Sequence, residues 1–259
     1  MKFSKEDSPA IKKEIASILK DLAVYLEKEI FCSIFITFLK DSNDSIKIHL
    51  IDSIISLKFH KQIDTFQDFI SDCIMSLSID ESWRVRFSVA DKIQELLALP
   101  NITQKLKTSF VDIFAKLFED SESEIRNTCC LKLELIAERI GKEEIMDRIL
   151  IQLKKSEKDS VSYVRGSLAE TILKVCPYIG KSKTNDFIFP VFLNLIKDEN
   201  HNIRMALIGN LEKLNEVIAI DIFVQSLIPS LNEIIANKSW RIRNQVLEII
   251  PAIALIVVI

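Results

Sequence analysis

"ESWRVRFSVADKIQELL", residues 81–97, is the stretch on which the fold turns. Within it Val85, Val89, Ile93 and Leu96 stand at i, i+4, i+8 and i+11, one face of a 3.6-residue period, which predicts an amphipathic helix. The stretch has a near copy, "KSWRIRNQVLEIIP", at 238–251. A helix that returns so far along the chain with its tryptophan and arginines in place makes internal repetition the first thing to test.

The basic residues Lys47, Arg86, Arg126, Arg165, Arg204 and Arg243 follow one another at intervals of 39, 40, 39, 39 and 39 positions. Six positions before each stands Asp41, Asp80, Asp120, Asp159, Asp198 and, at the last, Asn237. A seventh, partial copy opens the chain with Glu6 and Lys12, 35 positions ahead of Lys47. Each full unit has the same grammar. An apolar run of helical spacing such as "TFQDFISDCIMSLSID" (65–80) or "TNDFIFPVFLNLIKDE" (184–199) leads into a polar turn ending in the acid, and a second helix such as "IRMALIGNLEKLNEVI" (203–218) follows. One such pair cannot bury both of its apolar faces, so neighbouring pairs must stack. The expectation is an all-α protein, an α-solenoid of antiparallel helix pairs wound as a right-handed superhelix. Its units are a partial first one over 1–26, full ones over 27–61, 62–100, 101–140, 141–180 and 181–220, and a last over 221–259 whose completeness stays open.

Composition agrees. Four glycines and six prolines in 259 residues are too few for folds that need many tight turns with positive φ, while 48% apolar residues supply a substantial core. Pro190 and Pro229, 39 apart inside first helices, are expected to bend them; Pro177 and Pro251 fall in second helices, and Pro100 ends one. A formal net charge of −3, from 34 basic and 37 acidic side chains, gives no long-range field favouring nucleic acid or an anionic membrane. The five cysteines form no CxxC pair, lie in apolar runs, and are expected as buried thiols in a reducing compartment. The opening "MKFSKEDSPAIKK" has no apolar secretory core, and the tail "IIPAIALIVVI" is shorter than the roughly 20 residues that span a bilayer. The expected location is cytoplasmic, with the nucleus as a further compartment.

The recurring acid and base have a structural use. An aspartate at the turn is placed to cap the amide end of the second helix. The cation near that helix's start opposes its dipole and needs a carboxylate, from its own turn or from the next unit. The series Asp41/Lys47, Asp80/Arg86, Asp120/Arg126, Asp159/Arg165, Asp198/Arg204 and Asn237/Arg243 therefore reads as a ladder along the turns; taken singly, each member is a solvated charge. No catalytic or cofactor signature appears. His49, His60 and His201 belong to different units without metal-ligand spacing, and no phosphate-binding glycine loop, HExxH or GxSxG occurs. The expectation is a protein that is no enzyme and carries no cofactor.

Trp83 has Asp44, Ser123 and Ser162 as its counterparts in other units, and Trp240 in the last. A core position would be apolar every time, so the two tryptophans are expected exposed at the turns, as anchors for a protein partner; the competing reading tucks each indole against its own pair.

"SWRVRFSVADKIQEL" (82–96), "FPVFLNLIKDENHNIRMALIGNLEKLNEVIAI" (189–220) and "LIPSLNEIIANKSWRIRNQVLEIIPAIA" (227–254) resemble the HEAT repeats of the scaffold (A, 65 kDa regulatory) subunit of type 2A serine/threonine protein phosphatases. The resemblance runs from "EDSPAIKKEIASILKDLAVYLE" to the end, over the family's middle repeats. It implies a non-catalytic scaffold that presents its intra-repeat turns to a regulatory and a catalytic phosphatase subunit. By position it implies regulatory-subunit contacts at Asp7, Pro9, Lys13, Trp83 and Arg84, with Lys13 standing where the family has arginine, and catalytic-subunit contacts at Trp240 and Arg241. Against that family the chain lacks the first and last four repeats; it opens on a second helix without its mate and stops in an apolar run, which is expected of a piece of a longer gene product. The alternative is a general HEAT-repeat adaptor, for example in nuclear transport. A nucleic-acid track along the ladder is disfavoured by the acid paired with each base.

Overall fold

The computed structural model describes residues 8–210 and, beyond them, positions 229, 232, 235, 236, 238, 240, 243, 244, 247, 250 and 251. Among these residues no strand occurs, and the chain divides into two compact units, residues 1–128 and 129–259, with the division falling inside a helix.

The first unit begins with α1 (Pro9–Leu22), which opens on a proline whose missing amide costs a helix start nothing. Three pairs follow: α2 (Lys28–Leu39) with α3 (Asp44–Ser56), α4 (Gln67–Ser78) with α5 (Trp83–Leu97), and α6 (Gln104–Leu117) with α7 (Ser123–Ile140), the helix that the division cuts. Second helices stack on second helices, α1 on α3 and α3 on α5, while α4 stacks on α6 in the layer of first helices. The period read in α5 is its buried stripe: Val85, Val89, Ile93 and Leu96 have no exposed surface. First helices bring aromatics to the core. Phe31, Phe35, Phe66 and Phe69 form a cluster of mostly edge-on contacts with ring centroids 5.3 to 6.2 Å apart.

In the second unit the first helix of a pair is broken in two, α8 (Asp147–Leu150) and α9 (Leu153–Ser156), ahead of α10 (Ser162–Thr171). Then come α11 (Cys176–Lys183), α12 (Phe189–Leu195) and α13 (His201–Ile208), with α10 stacked on α13. Thr171 Oγ1 lies 2.9 Å from the carbonyls of both Cys130 and Ser167, so its one proton is shared between a neighbouring second helix and its own. The prolines act through changes of helical pitch. A 3₁₀ turn over 172–175 precedes Pro177, and a π turn over 184–188 precedes Pro190, where the ring cannot continue the regular ladder. Pro100 lies in the turn after α5. The surroundings of Pro229 and Pro251 are outside the described residues.

Three of the later joints between helix pairs contain a residue at positive φ: Asn101 (φ 53°), Gly141 (φ 61°) and Gly180 (φ 79°). Gly180, at ψ 174°, interrupts α11 in a conformation open only to glycine. Cys73, Cys129, Cys130 and Cys176 are buried and Cys32 half-buried. Burial pushes the Cys73 and Cys176 thiols up to about 12. No helix among the described residues is long and apolar enough to cross a membrane.

Candidate functional site

The turns inside the pairs form the most regular polar feature of the chain. In each, the aspartate accepts from the backbone N–H two residues on: Asn43 to Asp41, Ser82 to Asp80, Val161 to Asp159 and Asn200 to Asp198 at 2.9 Å, and Glu122 to Asp120 at 3.0 Å. This is an Asx turn ahead of the helix, so the aspartate is not the cap itself. The N-cap positions belong to Asn43, Ser82, Val161 and Asn200; the Asn43 and Asn200 side chains accept from Ser45 and Asn202 at 2.9 and 3.0 Å.

Four of these aspartates, Asp41, Asp80, Asp120 and Asp198, also take the cation of the preceding repeat. Lys12 reaches Asp41 at 3.2 Å and Lys47 reaches Asp80 at 2.7 Å. Arg86 grips Asp120 with a fork, Nε to Oδ2 at 2.7 Å and Nη2 to Oδ1 at 2.9 Å, and Arg165 grips Asp198 likewise at 2.6 and 3.2 Å. The remaining guanidinium nitrogen turns back to its own turn. Arg86 Nη1 donates to the carbonyls of Asp80 and Glu81, Arg126 to those of Asp120 and Ser121, Arg165 to that of Asp159, and Arg204 to those of Asp198 and Glu199, at 2.7 to 3.2 Å. Arg243 donates to the carbonyl of Lys238 at 2.9 Å. A cation in the first turn of a helix is thus held against the unfavourable dipole by several acceptors at once. Lysine lacks the fork, and the single ammonium groups of Lys12 and Lys47 are spent on the forward contact.

Burial would raise the Asp120 carboxyl, but the Arg86 fork and the Glu122 amide outweigh it and hold the group below its ordinary range. Asp41 is lowered by the same balance, through the Asn43 amide and Lys12. Hydrogen bonding to Asp120 and Asp198 raises Arg86 and Arg165 further.

On the outer edge of this row stands Trp83, the first residue of α5, 37% exposed. Its indole packs edge-on against Phe87 at 6.3 Å, and the Arg84 guanidinium lies 5.1 Å from the ring centre. Arg84 also reaches Asp44 at 3.6 Å, and the Ser82 hydroxyl donates to the same carboxylate at 2.7 Å, so the residue in Trp83's place one repeat earlier steadies its two neighbours. Trp240 is 65% exposed, beside a depression of about 410 Å³ lined by Ile235, Arg243, Leu247 and Ile250. Pro9 and Lys13 are exposed on α1. Asp7, Asn237 and Arg241 lie outside the described residues.

Sequence reading missed a second series, on the opposite edge where one pair passes to the next. Lys28 donates to the Thr65 carbonyl. Gln67 donates to the Asn101 carbonyl at 2.7 Å and accepts from the Thr103 amide at 2.8 Å. Lys183 reaches the Glu143 carbonyl at 2.9 Å and the Asp147 carboxylate. These contacts use different residue types in each repeat, so no column of like residues marks them. Among the described residues no group of histidine, cysteine or carboxylate side chains could hold a metal ion.

Residues 103–180 match the family model described as PPP2R1A-like HEAT repeat. The chain is 32% identical over 111 residues to the human beta isoform of the 65 kDa regulatory (A-type) subunit of serine/threonine-protein phosphatase 2A, a match covering 41% of this chain and 18% of that protein. The chain thus spans about a fifth of the length of that relative. Among solved structures, Cex1p superposes with a TM-score of 0.64 at 17% identity, over 99% of this chain and 52% of that one. Computationally designed armadillo repeat proteins for modular peptide recognition do so at 0.51 and 14%, over 82% and 97%. Those likenesses are of fold alone. Taken together, the chain is an α-solenoid of helix pairs whose residues 103–180 match a HEAT-repeat model and which is similar over part of its sequence to the 65 kDa regulatory subunits of phosphatase 2A.

Proposed function

We propose that this HEAT-repeat chain, similar over part of its length to the 65 kDa regulatory subunits, is a non-catalytic scaffold or regulatory subunit of a type 2A protein phosphatase. It holds a regulatory subunit through its intra-repeat turns, with Pro9, Lys13, Trp83 and Arg84 in the contact and Asp7 beside them, and it meets the catalytic subunit through Trp240 and Arg241. The observation that carries this reading is Trp83. An indole at the first position of a helix, more than a third exposed and flanked by an arginine, supplies broad apolar area and a carboxylate-binding fork at one point. Along the same row the ladder keeps the turns in register, so that a partner meets a fixed surface.

The test is Trp83→Ala, with thermal melting and binding to a phosphatase regulatory subunit measured on the same preparation. The fold loses the edge packing on Phe87, the Arg84 cation over the ring and the covered part of the indole, so stability should fall by about 1 to 2 kcal/mol, less than the roughly 3 to 5 kcal/mol of a core tryptophan. Affinity should fall about thirtyfold, the equivalent of about 2 kcal/mol at an anchor. Trp240→Ala should do the same for the catalytic subunit. Unchanged affinity for both partners, or a collapse in melting temperature, would make the tryptophans structural and remove the reading.

A further inference from the structure

Two residues before the ladder aspartate, the first helix ends on an inward position. Phe118 and Ile196 fill it with 3% and 0% exposure. In the repeat between them the residue is Glu157, 8% exposed. Its Oε1 accepts from Asn194 Nδ2 at 2.9 Å, while Oε2 is buried and meets no donor. A carboxylate placed where its neighbours bury phenylalanine and isoleucine is costly, and the cost is greatest for the unpartnered oxygen. Burial pushes its carboxyl up, against the opposing pull of Asn194, Lys158 and Lys154.

Glu157 also lines a cleft of about 500 Å³ on the ridge, shared with Asp159, Asp198, Glu199, Lys158 and Arg165. Leaving aside Asp159, which is engaged in its own turn, three carboxylates face two cations there. Asp198 is fully engaged by the Arg165 fork and the Asn200 amide. Glu199 is not: its carboxylate is 93% exposed and only 3.9 Å from Arg165 Nη2. The cleft therefore has negative charge beyond what its own cations take up, and one of its acceptors is held in the wall without a donor.

We propose that this cleft is a binding site for a cationic side chain, an arginine of a protein partner, whose guanidinium pairs with Glu157 and Glu199. Arginine fits better than lysine because its planar, weakly hydrated head leaves water at lower cost and offers donors to two carboxylates at once. Rotation about the Glu157 side-chain bonds presents Oε2 to the incoming donors, and the pair so formed supplies the bond that the free protein lacks. The site uses none of the residues proposed above for phosphatase subunits and does not depend on the partner being a phosphatase component.

The probe is a short acetylated and amidated peptide of alternating glycine and arginine, titrated against the full chain at moderate salt. Controls are the same peptide with citrulline, which keeps the shape and loses the charge, and with lysine. The arginine peptide should bind and shift the Asn194 side-chain amide resonance, the lysine peptide should bind more weakly, and the citrulline peptide should not bind. Glu157→Gln should weaken binding about tenfold or more, and Glu199→Gln about threefold. Glu157→Ile, which installs the residue of the next repeat, should abolish binding and raise the melting temperature, since a merely structural glutamate would lower it on removal. Equal binding of the arginine and citrulline peptides, parental affinity in Glu157→Ile, or an Asn194 resonance that stays in place at saturation would each overturn the proposal.

Discussion

Asp120 joins three things at one residue: its own turn through the Glu122 amide, the preceding repeat through Arg86, and, through its carbonyl, the Arg126 of its own helix. The side chains of the Arg86 and Asp120 pair are only 14% and 7% exposed, so water screens them little. Asp120→Asn keeps the shape and one amide acceptor but loses the charge, and should cost about 2 kcal/mol near neutral pH. The sign with pH follows from the lowered carboxyl. Because the folded group titrates below the unfolded one, its contribution is complete above about pH 4 and disappears as pH falls through the folded value. Melting temperatures of parent and Asp120→Asn should therefore differ at neutral pH and converge in acid. A gap that stays constant down to acid unfolding would mean that the carboxylate charge plays no part.

At the scale of elements, pattern and outcome match where one residue type recurs in one place. The helix over α5, its buried stripe and the polar turns with their aspartates could all be read from spacing, because burial and turn geometry demand the same chemistry in every repeat. The partner of each cation could not, since sequence spacing leaves an own-turn and a next-repeat carboxylate equally available and only stacking chooses the second. The split of one first helix into α8 and α9, and the π turn before Pro190, were equally hidden. Scarce glycine was a usable signal left unread. Gly141 and Gly180 are 39 apart, both at positive φ, Gly141 just after α7 and Gly180 at the break inside α11. Gly180→Ala tests this. A side chain there suffers from the backbone conformation first, because the atom it would meet at 2.9 Å is the mobile Cε of Lys142. The expected loss is about 1 to 3 kcal/mol in a denaturant titration, against a few tenths for an ordinary surface site; a change of the latter size would mean that the turn relaxes freely.

Across the whole chain, repeats that touch mainly their neighbours make stability local. A lesion at one rung should open the helices beside it and spare those farther along. In Asp120→Ala, amide hydrogen exchange is expected to speed up in α5, α6 and the start of α7 and to stay at the parental rate in α10 and α13. Uniform acceleration would mean that the chain unfolds as one body. The joint between repeats is also generic: Lys47 with Asp80, Arg86 with Asp120 and Arg165 with Asp198 are one plug and one socket used again and again. Excising residues 80–119 would bring Asp120 to the spacing from Lys47 that Asp80 has now, so the shortened chain should still melt cooperatively, whereas a cut of half that length should not. Copy number is then free to drift by whole repeats through unequal recombination, with what each repeat presents to a partner altered one unit at a time.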